Sequence, residues 1–208
     1  MIKLFKWIQL KGVEHYPFYF KILSVETSLS IQAHPDKELA GKLHNEFPDI
    51  YKDANHKPEM ILALTEYEAL CSFSNSKDIH EHLNSNIALK DFIVSVTDEE
   101  INLENLNEPS TTKDVLREII KRIFAAPEAK VTECVNRLLT DINNIAEEDR
   151  TPHQKLALRL NTQYENDVGI IVSFLLNYLT LQPGESLVLK PNEPHAYLSG
   201  EGLQCMAT

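Results

Sequence analysis

The order in which apolar patterns change along the chain constrains its fold more than any other feature. Residues 17–75 contain short apolar runs broken by Pro, Asn and Asp, a pattern typical of strands. From 76 to 181 the apolar residues recur at helical spacing, and residues 182–208 return to strands and turns. This block order favours a mixed β plus α fold, in which a helical domain interrupts a β core, over alternating βαβ units.

The same patterns predict individual elements. Strands are expected at 18–25, 29–34, 60–64, 69–73, 186–190 and 195–198, and a short helix at 37–44. The helical domain should contain a helix around 115–124, one beginning near Pro127, one through 154–160 and one from Asp167 to Leu181. In that last helix, residues 170–172 would also suit a strand. An interaction module built on residues 111–181 is an alternative, but its apolar stripes are more simply explained as faces that pack into a core.

Charge and cysteine content exclude several classes of function. The chain carries 31 acidic and 20 basic side chains, a net charge of −11, without a basic cluster, so we expect neither nucleic acid nor a membrane surface as partner. The longest apolar stretch, Val168–Leu181, is shorter than the roughly 20 residues that span a bilayer. The cysteines at 71, 134 and 205 form no C-x-x-C pair, which indicates a reducing compartment, and we predict a cytoplasmic protein.

Three polar segments could carry chemistry. Gln32 and His34 stand two residues apart and would point to one face of a strand, although a polar pair facing solvent is the commoner explanation. Residues 54–59 bring Glu59 to the start of an apolar strand just after Pro58, or form an ordinary solvated loop. His195 enters a strand after a rigid Pro-rich turn, where it could equally be a half-buried, hydrogen-bonded histidine.

Together the three segments supply a possible metal site. Two imidazoles, one carboxylate and one amide could hold zinc and leave room for a water or a substrate oxygen. A single carboxylate against a divalent cation leaves a positive centre, which is a usable Lewis acid.

Three sequence blocks closely resemble type I mannose-6-phosphate isomerases, members of the cupin superfamily. They are SVETSLSIQAHPDKELA, DANHKPEMILAL and LQPGESLVLKPNEPHAYLSG, and they occur here in the family's order. The resemblance covers roughly residues 17–206. It implies a partial cupin (jelly-roll) β barrel with an inserted helical domain. It also implies one zinc ion per chain, bound by Gln32, His34, Glu59 and His195.

The resemblance implies an activity and a substrate. The family interconverts D-mannose 6-phosphate and D-fructose 6-phosphate through a cis-enediol, which feeds GDP-mannose synthesis and glycosylation. Ser30 is expected beside the sugar phosphate, and Lys37 is a candidate for phosphate contact. Lys57 or His56 would carry the proton between the two carbon atoms, and the sequence does not choose between them.

The chain also departs from the family pattern. The family usually has a Glu in the block that reads EGLQCMA here, so Gln204 stands where a carboxylate is expected. Family members also extend further at both ends, including an Arg-containing segment implicated in catalysis, so the chain looks like a central fragment. The alternative is therefore a truncated or degenerate cupin-like protein that binds zinc or sugar phosphate without turnover. The oligomeric state is not predicted.

Overall fold

The computed structural model of the protein describes residues 18–97 and 112–207. The strands are β1 (Phe18–Val25), β2 (Glu59–Ala63), β3 (Tyr67–Phe73), β4 (Leu176–Leu181), β5 (Ser186–Leu189) and β6 (His195–Ala207). The α-helices are α1 (Lys37–Glu46), α2 (Ser76–Ser85), α3 (Ile87–Thr97), α4 (Thr112–Ala125), α5 (Glu128–Asn143), α6 (Pro152–Gln163) and α7 (Val168–Ser173), and a 3₁₀ turn spans Glu147–Asp149. This arrangement confirms the predicted mixed β plus α class.

Strand β6 is the centre of one curled antiparallel sheet, with the order β4-β3-β6-β2-β5. Its first residues pair with β3 and its last with β2, so both of these strands lie along the same edge of β6. Its other edge pairs with β1 and, through a single bridge between His195 and Gln32, with the segment that follows β1. The sheet therefore forms half of a barrel, and β6 brings the segments around residues 32, 59 and 195 together.

Gly200 lies where β6 changes its pairing partner from β3 to β2. This residue has a φ of 107°, a backbone conformation that L side chains rarely adopt. A Cβ atom there would lie 2.4 Å from the carbonyl oxygen of Glu66, in the turn between β2 and β3. Glycine thus lets β6 change partner from β3 to β2 without a clash.

The two faces of the sheet have different environments. Leu70, Ala196 and Leu198 point to one face and belong to the buried cluster formed by the helices, which includes Leu138 and Ile123. Burial of each such leucine or isoleucine stabilises the fold by about 1.5–3 kcal/mol. Because side chains alternate along a strand, His195 and Tyr197 at the beginning of β6 point the other way, into the half-barrel. The register of β6 shifts after Tyr197, and in its last part Gln204 and Met206 line the half-barrel cavity. There Tyr197 packs with Ile61, Tyr67 and Ala69.

Two predictions of secondary structure were wrong. The helix expected from Asp167 to Leu181 ends at Ser173, and β4 begins at Leu176. The Asn177 side chain contributes to this change, since its amide donates to the carbonyl oxygens of Cys71 and Phe73, both at 2.9 Å, and so joins the chain to β3. The segment 29–34 is not a strand, because it forms a single isolated bridge with β6, between Gln32 and His195, and one further backbone hydrogen bond, from Leu29 to Tyr197.

The N-terminal residues 1–17 and the segment 98–111 lie outside the described residues. Among the helices that are described, each is too short or too polar to cross a membrane. The three cysteines are free, as expected from their spacing, and Cys71 and Cys134 are buried.

Candidate metal centre

His34, Glu59 and His195 converge inside the half-barrel. Their ligating atoms all lie within 4.8 Å of one another. The Nε2 atom of His34 is 3.2 Å from Oε2 of Glu59, and the Nε2 atom of His195 is 3.8 Å from the same oxygen. Two imidazole nitrogens therefore face one carboxylate oxygen.

The local backbone explains this convergence. Glu59 is the first residue of β2 and follows Pro58, which cannot donate a ladder hydrogen bond and so marks the beginning of the strand. His195 is the first residue of β6. Its backbone exchanges two hydrogen bonds of 2.8 Å with the backbone of Gln32, two residues before His34. The bridge thus places the two histidine segments side by side.

His195 has the protonation pattern expected of a metal ligand. Its Nδ1 lies 3.1 Å from the carbonyl oxygen of Glu193, to which a protonated Nδ1 donates, so the lone pair of Nε2 faces Glu59. Burial lowers the pKa of His195, and this outweighs the opposing effects of the Glu193 carbonyl and the Glu59 charge. A neutral imidazole whose second nitrogen binds a carbonyl oxygen is the usual form of a metal-binding histidine.

Glu59 is a buried carboxylate held in its charged form. Burial, the largest single influence, raises its pKa, but hydrogen bonds from His34, Tyr197 and Gln204 outweigh burial and lower the pKa to about 2. Oε1 accepts from the Tyr197 hydroxyl at 2.5 Å and from the Gln204 amide. Since these donors occupy Oε1, the other oxygen, Oε2, is left facing the histidines.

These residues line a cavity of about 240 Å³. The lining contains each predicted metal ligand, including Gln32, together with the predicted substrate residue Ser30 and the predicted proton carrier Lys57. The Gln32 amide nitrogen lies 3.5 Å from the Ser30 hydroxyl. Neither Lys37 nor His56 lines this cavity.

Two further polar residues of the cavity, Lys21 and Tyr197, were not among the predicted site residues, and Gln204, which the sequence marked as a departure from the family pattern, also lines it. Lys21 is the only charged residue of β1, and it could have been singled out as a cation in an otherwise apolar strand. Its Cα faces that of Gln204 across the β1–β6 pair. Lys21 and Lys57 both line the cavity, and the Lys57 ammonium lies 3.4 Å from the Asp53 carboxylate.

The residues present fit a divalent metal ion. Zinc binds imidazole nitrogen and carboxylate oxygen, and the cluster offers two imidazole nitrogens and one carboxylate group. The carboxylate is already charged and His195 is neutral, so these two groups need not lose a proton to bind.

Comparison with known proteins identifies the family. The family model described as "Phosphomannose isomerase type I, catalytic domain" matches residues 5–76, and that described as "Phosphomannose isomerase type I, helical insertion domain" matches residues 89–176. The chain belongs to the type I phosphomannose isomerase family. The resemblance found in the sequence blocks is confirmed, and the match begins before residue 17.

Individual relatives agree with this assignment. Mannose-6-phosphate isomerase 1 of Arabidopsis thaliana is 41% identical over 193 residues, and the mannose-6-phosphate isomerase of Rattus norvegicus is 40% identical over 195 residues. Each comparison covers 92% of this chain, but only 45% and 46% of the relative. The chain thus spans less than half the length of the curated relatives it matches.

Solved structures of phosphomannose isomerases share the fold. The mannose 6-phosphate isomerase of Salmonella typhimurium bound to fructose 6-phosphate and zinc has a TM-score of 0.75 and 27% identity, covering 92% of this chain and 48% of that chain. A mannose 6-phosphate isomerase bound with zinc and yttrium has the same TM-score, identity and coverage. The predicted partial cupin (jelly-roll) barrel with an inserted helical domain is confirmed.

Proposed function

We propose that this chain carries the zinc site of an aldose–ketose isomerase that interconverts D-mannose 6-phosphate and D-fructose 6-phosphate. The observation that carries the proposal is the convergence of His34, Glu59 and His195 in a cavity that two lysines also line. Membership of the phosphomannose isomerase family supports the same reaction. A similar structure was solved with fructose 6-phosphate and zinc bound, which supports the ligand and the metal.

One zinc ion would be held by His34, Glu59 and His195, with Gln32 as the fourth ligand. When bound, zinc supplies a Lewis acid that stabilises negative charge developing on a substrate oxygen, as a cis-enediol requires. Gln32 lines the cavity with the other three, and among the described residues its side-chain amide hydrogen-bonds only to the Ser30 hydroxyl, at 3.5 Å.

The cavity also distinguishes between the candidate substrate residues. Lys57 lines the cavity and His56 does not, so Lys57 is the favoured carrier of the proton between C1 and C2. Ser30 would bind the sugar. Lys21 replaces Lys37 as the favoured phosphate contact, because it lines the cavity and presents a positive charge to a dianionic group.

The cellular role follows from the reaction. Mannose 6-phosphate made by this activity would feed GDP-mannose synthesis and glycosylation in the cytoplasm. The three free cysteines support a reducing compartment. A small sugar phosphate is the partner that the cavity supports.

The first experiment measures zinc and turnover separately. Zinc binding to the metal-free chain is measured by competition with a chromogenic chelator, and isomerase activity by a coupled assay with and without added zinc. We expect binding of one zinc ion that Glu59→Gln weakens at least tenfold, and activity that a chelator removes and zinc restores. A chain that binds no zinc would refute the proposal.

The second experiment tests the phosphate contact. Lys21→Met should raise the KM for mannose 6-phosphate, or weaken equilibrium binding of fructose 6-phosphate, by about tenfold, the loss expected from one charge-assisted hydrogen bond. Lys37→Met removes the same charge outside the cavity and should leave both values unchanged. Equal effects of the two substitutions would contradict the assignment of Lys21.

A second candidate function is zinc or sugar-phosphate binding without turnover. The observation that favours it is Gln204, which stands where the family resemblance implies a Glu and whose amide contacts Glu59. An amide cannot serve as a carboxylate base. This function predicts a parent chain that binds zinc without turnover. If the missing carboxylate is the cause, Gln204→Glu should restore measurable activity.

A further inference from the structure

Asn192 joins the two segments that carry the histidines. Its backbone N–H donates to the carbonyl oxygen of His34 at 2.7 Å. Its side-chain Oδ1 accepts from the backbone N–H of Asp36 at 3.1 Å, and its Nδ2 donates to Oδ2 of Asp36 at 2.7 Å. Three hydrogen bonds thus connect one residue of the turn before β6 to the segment 34–36.

The backbone at Asn192 favours this arrangement. Its φ is 61°, in the left-handed region, which Asn tolerates better than most residues other than Gly. The residue lies in the tight connection between β5 and β6, which contains Pro191 and Pro194. A turn with two prolines has few alternative conformations, so it can transmit the position of Asn192 to His195, three residues later.

Asp36, the partner of Asn192, is itself fixed to the beginning of α1. Its Oδ1 accepts from the backbone N–H of Leu39 at 2.8 Å and so caps the N-terminus of α1, while Oδ2 accepts from Asn192. Each carboxylate oxygen thus has its own partner. The position of Asp36 relative to α1 therefore also sets the position of His34, two residues earlier.

We infer that the Asn192–Asp36 pair is a positioning clamp that sets the distance between His34 and His195, and with it the zinc affinity, although neither residue touches the cavity. The inference rests on the proposed function, since it concerns the metal that His34 and His195 would share. The clamp connects the segments of the two imidazole ligands outside the metal site, and the Gln32–His195 backbone bridge connects them inside it. Asn192 and Asp36 are positioning residues, not ligands.

The chemistry of the pair permits a sharp test by exchange. Asn192→Asp removes the side-chain donor and sets a second carboxylate against Asp36, so the bond between the two side chains is replaced by repulsion. In the double variant Asp36→Asn and Asn192→Asp, the Asn at 36 can still cap Leu39 through its oxygen and can donate to the Asp at 192. The Asp at 192 can still accept from the N–H of residue 36, so the exchange keeps the backbone contacts and restores the contact between the two side chains with donor and acceptor reversed.

The measurement is the zinc dissociation constant of the full chain at one pH, with the thermal midpoint of the metal-free protein recorded beside it. Changing an outer partner of a metal ligand typically weakens affinity about 10–100-fold, and we expect Asn192→Asp to weaken zinc binding by at least about tenfold. The double exchange should return the constant to within about threefold of the parent. Asn192→Gly keeps a left-handed backbone accessible, removes only the side-chain contacts, and serves if the Asp variant does not fold.

Lys113→Ala is the matched control. Lys113 is exposed and pairs with Glu193, in the same turn, at 2.7 Å. Its removal should leave zinc binding within about twofold, because a surface ion pair contributes little.

Each outcome bears on a different claim. A parent chain without zinc affinity overturns the proposed function and this inference with it. A parent that binds zinc, with Asn192→Asp or Asn192→Gly binding equally well, overturns the clamp alone. A double exchange that binds no better than Asn192→Asp also overturns it, because the loss would then not come from the donor–acceptor pair.

Discussion

The hydroxyl of Tyr197 should contribute to metal affinity without contacting the metal. It donates to the buried Glu59 carboxylate at 2.5 Å, and Glu59 is only 4% exposed. Tyr197→Phe removes this donor and keeps the ring, which packs edge-on against Tyr67 with 5.5 Å between ring centroids. The substitution therefore isolates one hydrogen bond to a charged group.

The magnitude follows from that hydrogen bond. A hydrogen bond to a charged group contributes about 1.5–3 kcal/mol, so the free energy of unfolding of the metal-free protein should fall by about that amount. Glu59 keeps its second donor, the Gln204 amide, so its orientation is only partly lost. We therefore expect zinc affinity to fall about tenfold, the lower end of the range for outer partners of metal ligands.

The matched control is Tyr178→Phe. The Tyr178 hydroxyl donates to a different partly buried carboxylate, that of Glu68, so its loss should destabilise the fold similarly but leave zinc binding unchanged. Urea unfolding measures the first quantity and chelator competition the second. If Tyr197→Phe binds zinc like the parent, or if both variants lose affinity equally, the hydroxyl does not orient Glu59.

Three further substitutions test the fold. Gly200→Ala should lower the free energy of unfolding, measured in urea, more than Gly184→Ala does. Both glycines have a positive φ, which strains an alanine by about 1–3 kcal/mol, but only at Gly200 would the added Cβ also meet a backbone oxygen. Leu138→Ala should lower the free energy of unfolding by about 2–5 kcal/mol, because the side chain is fully buried. Burial raises the pKa of Glu68, but hydrogen bonds from Arg159, Ser199 and Tyr178 outweigh it and hold the pKa below 4.5. This stabilisation is present above pH 4.5 and is lost as the pH falls through the folded pKa, so Glu68→Gln should flatten the decline of the urea midpoint in acid.

The sequence predicts most strongly where local pattern decides structure. The helices α4, α5 and α6 follow from apolar stripes with a period of 3.6 residues, and the stripe residue Leu138 is indeed buried. The run from Asp167 to Leu181 shows the limit of this reasoning, since a continuous apolar stretch suits a helix or a buried strand equally. Tertiary pairing with β3 decides for a strand after Ser173, and no local feature predicts that pairing.

The same contrast between local pattern and tertiary pairing applies to the residues of the candidate site. The residues proposed to bind the metal lie in three compact blocks that the family resemblance identifies. Tyr197 and Gln204 could not be assigned to Glu59 from the sequence, because their hydrogen bonds span 138 and 145 residues. Their role depends on the register of β6 against β2, in which the Cα of Gln204 faces that of Ile61. A one-residue shift would turn Gln204 out of the half-barrel.

Gln204 stands where the family resemblance implies a Glu, and its surroundings separate two functions that a residue at this position could have. One function is to donate a hydrogen bond to Glu59, which an amide does without needing a proton from solvent, whereas a carboxyl group must first be protonated. The other is to accept a proton as a base, which an amide cannot do. Its remaining atom, Oε1, is buried and has no hydrogen-bond partner among the described residues, so the contact with Glu59 determines which way the amide is turned. The substitution therefore preserves the support of the proposed metal ligand, and any loss that it causes should fall on turnover and not on zinc binding.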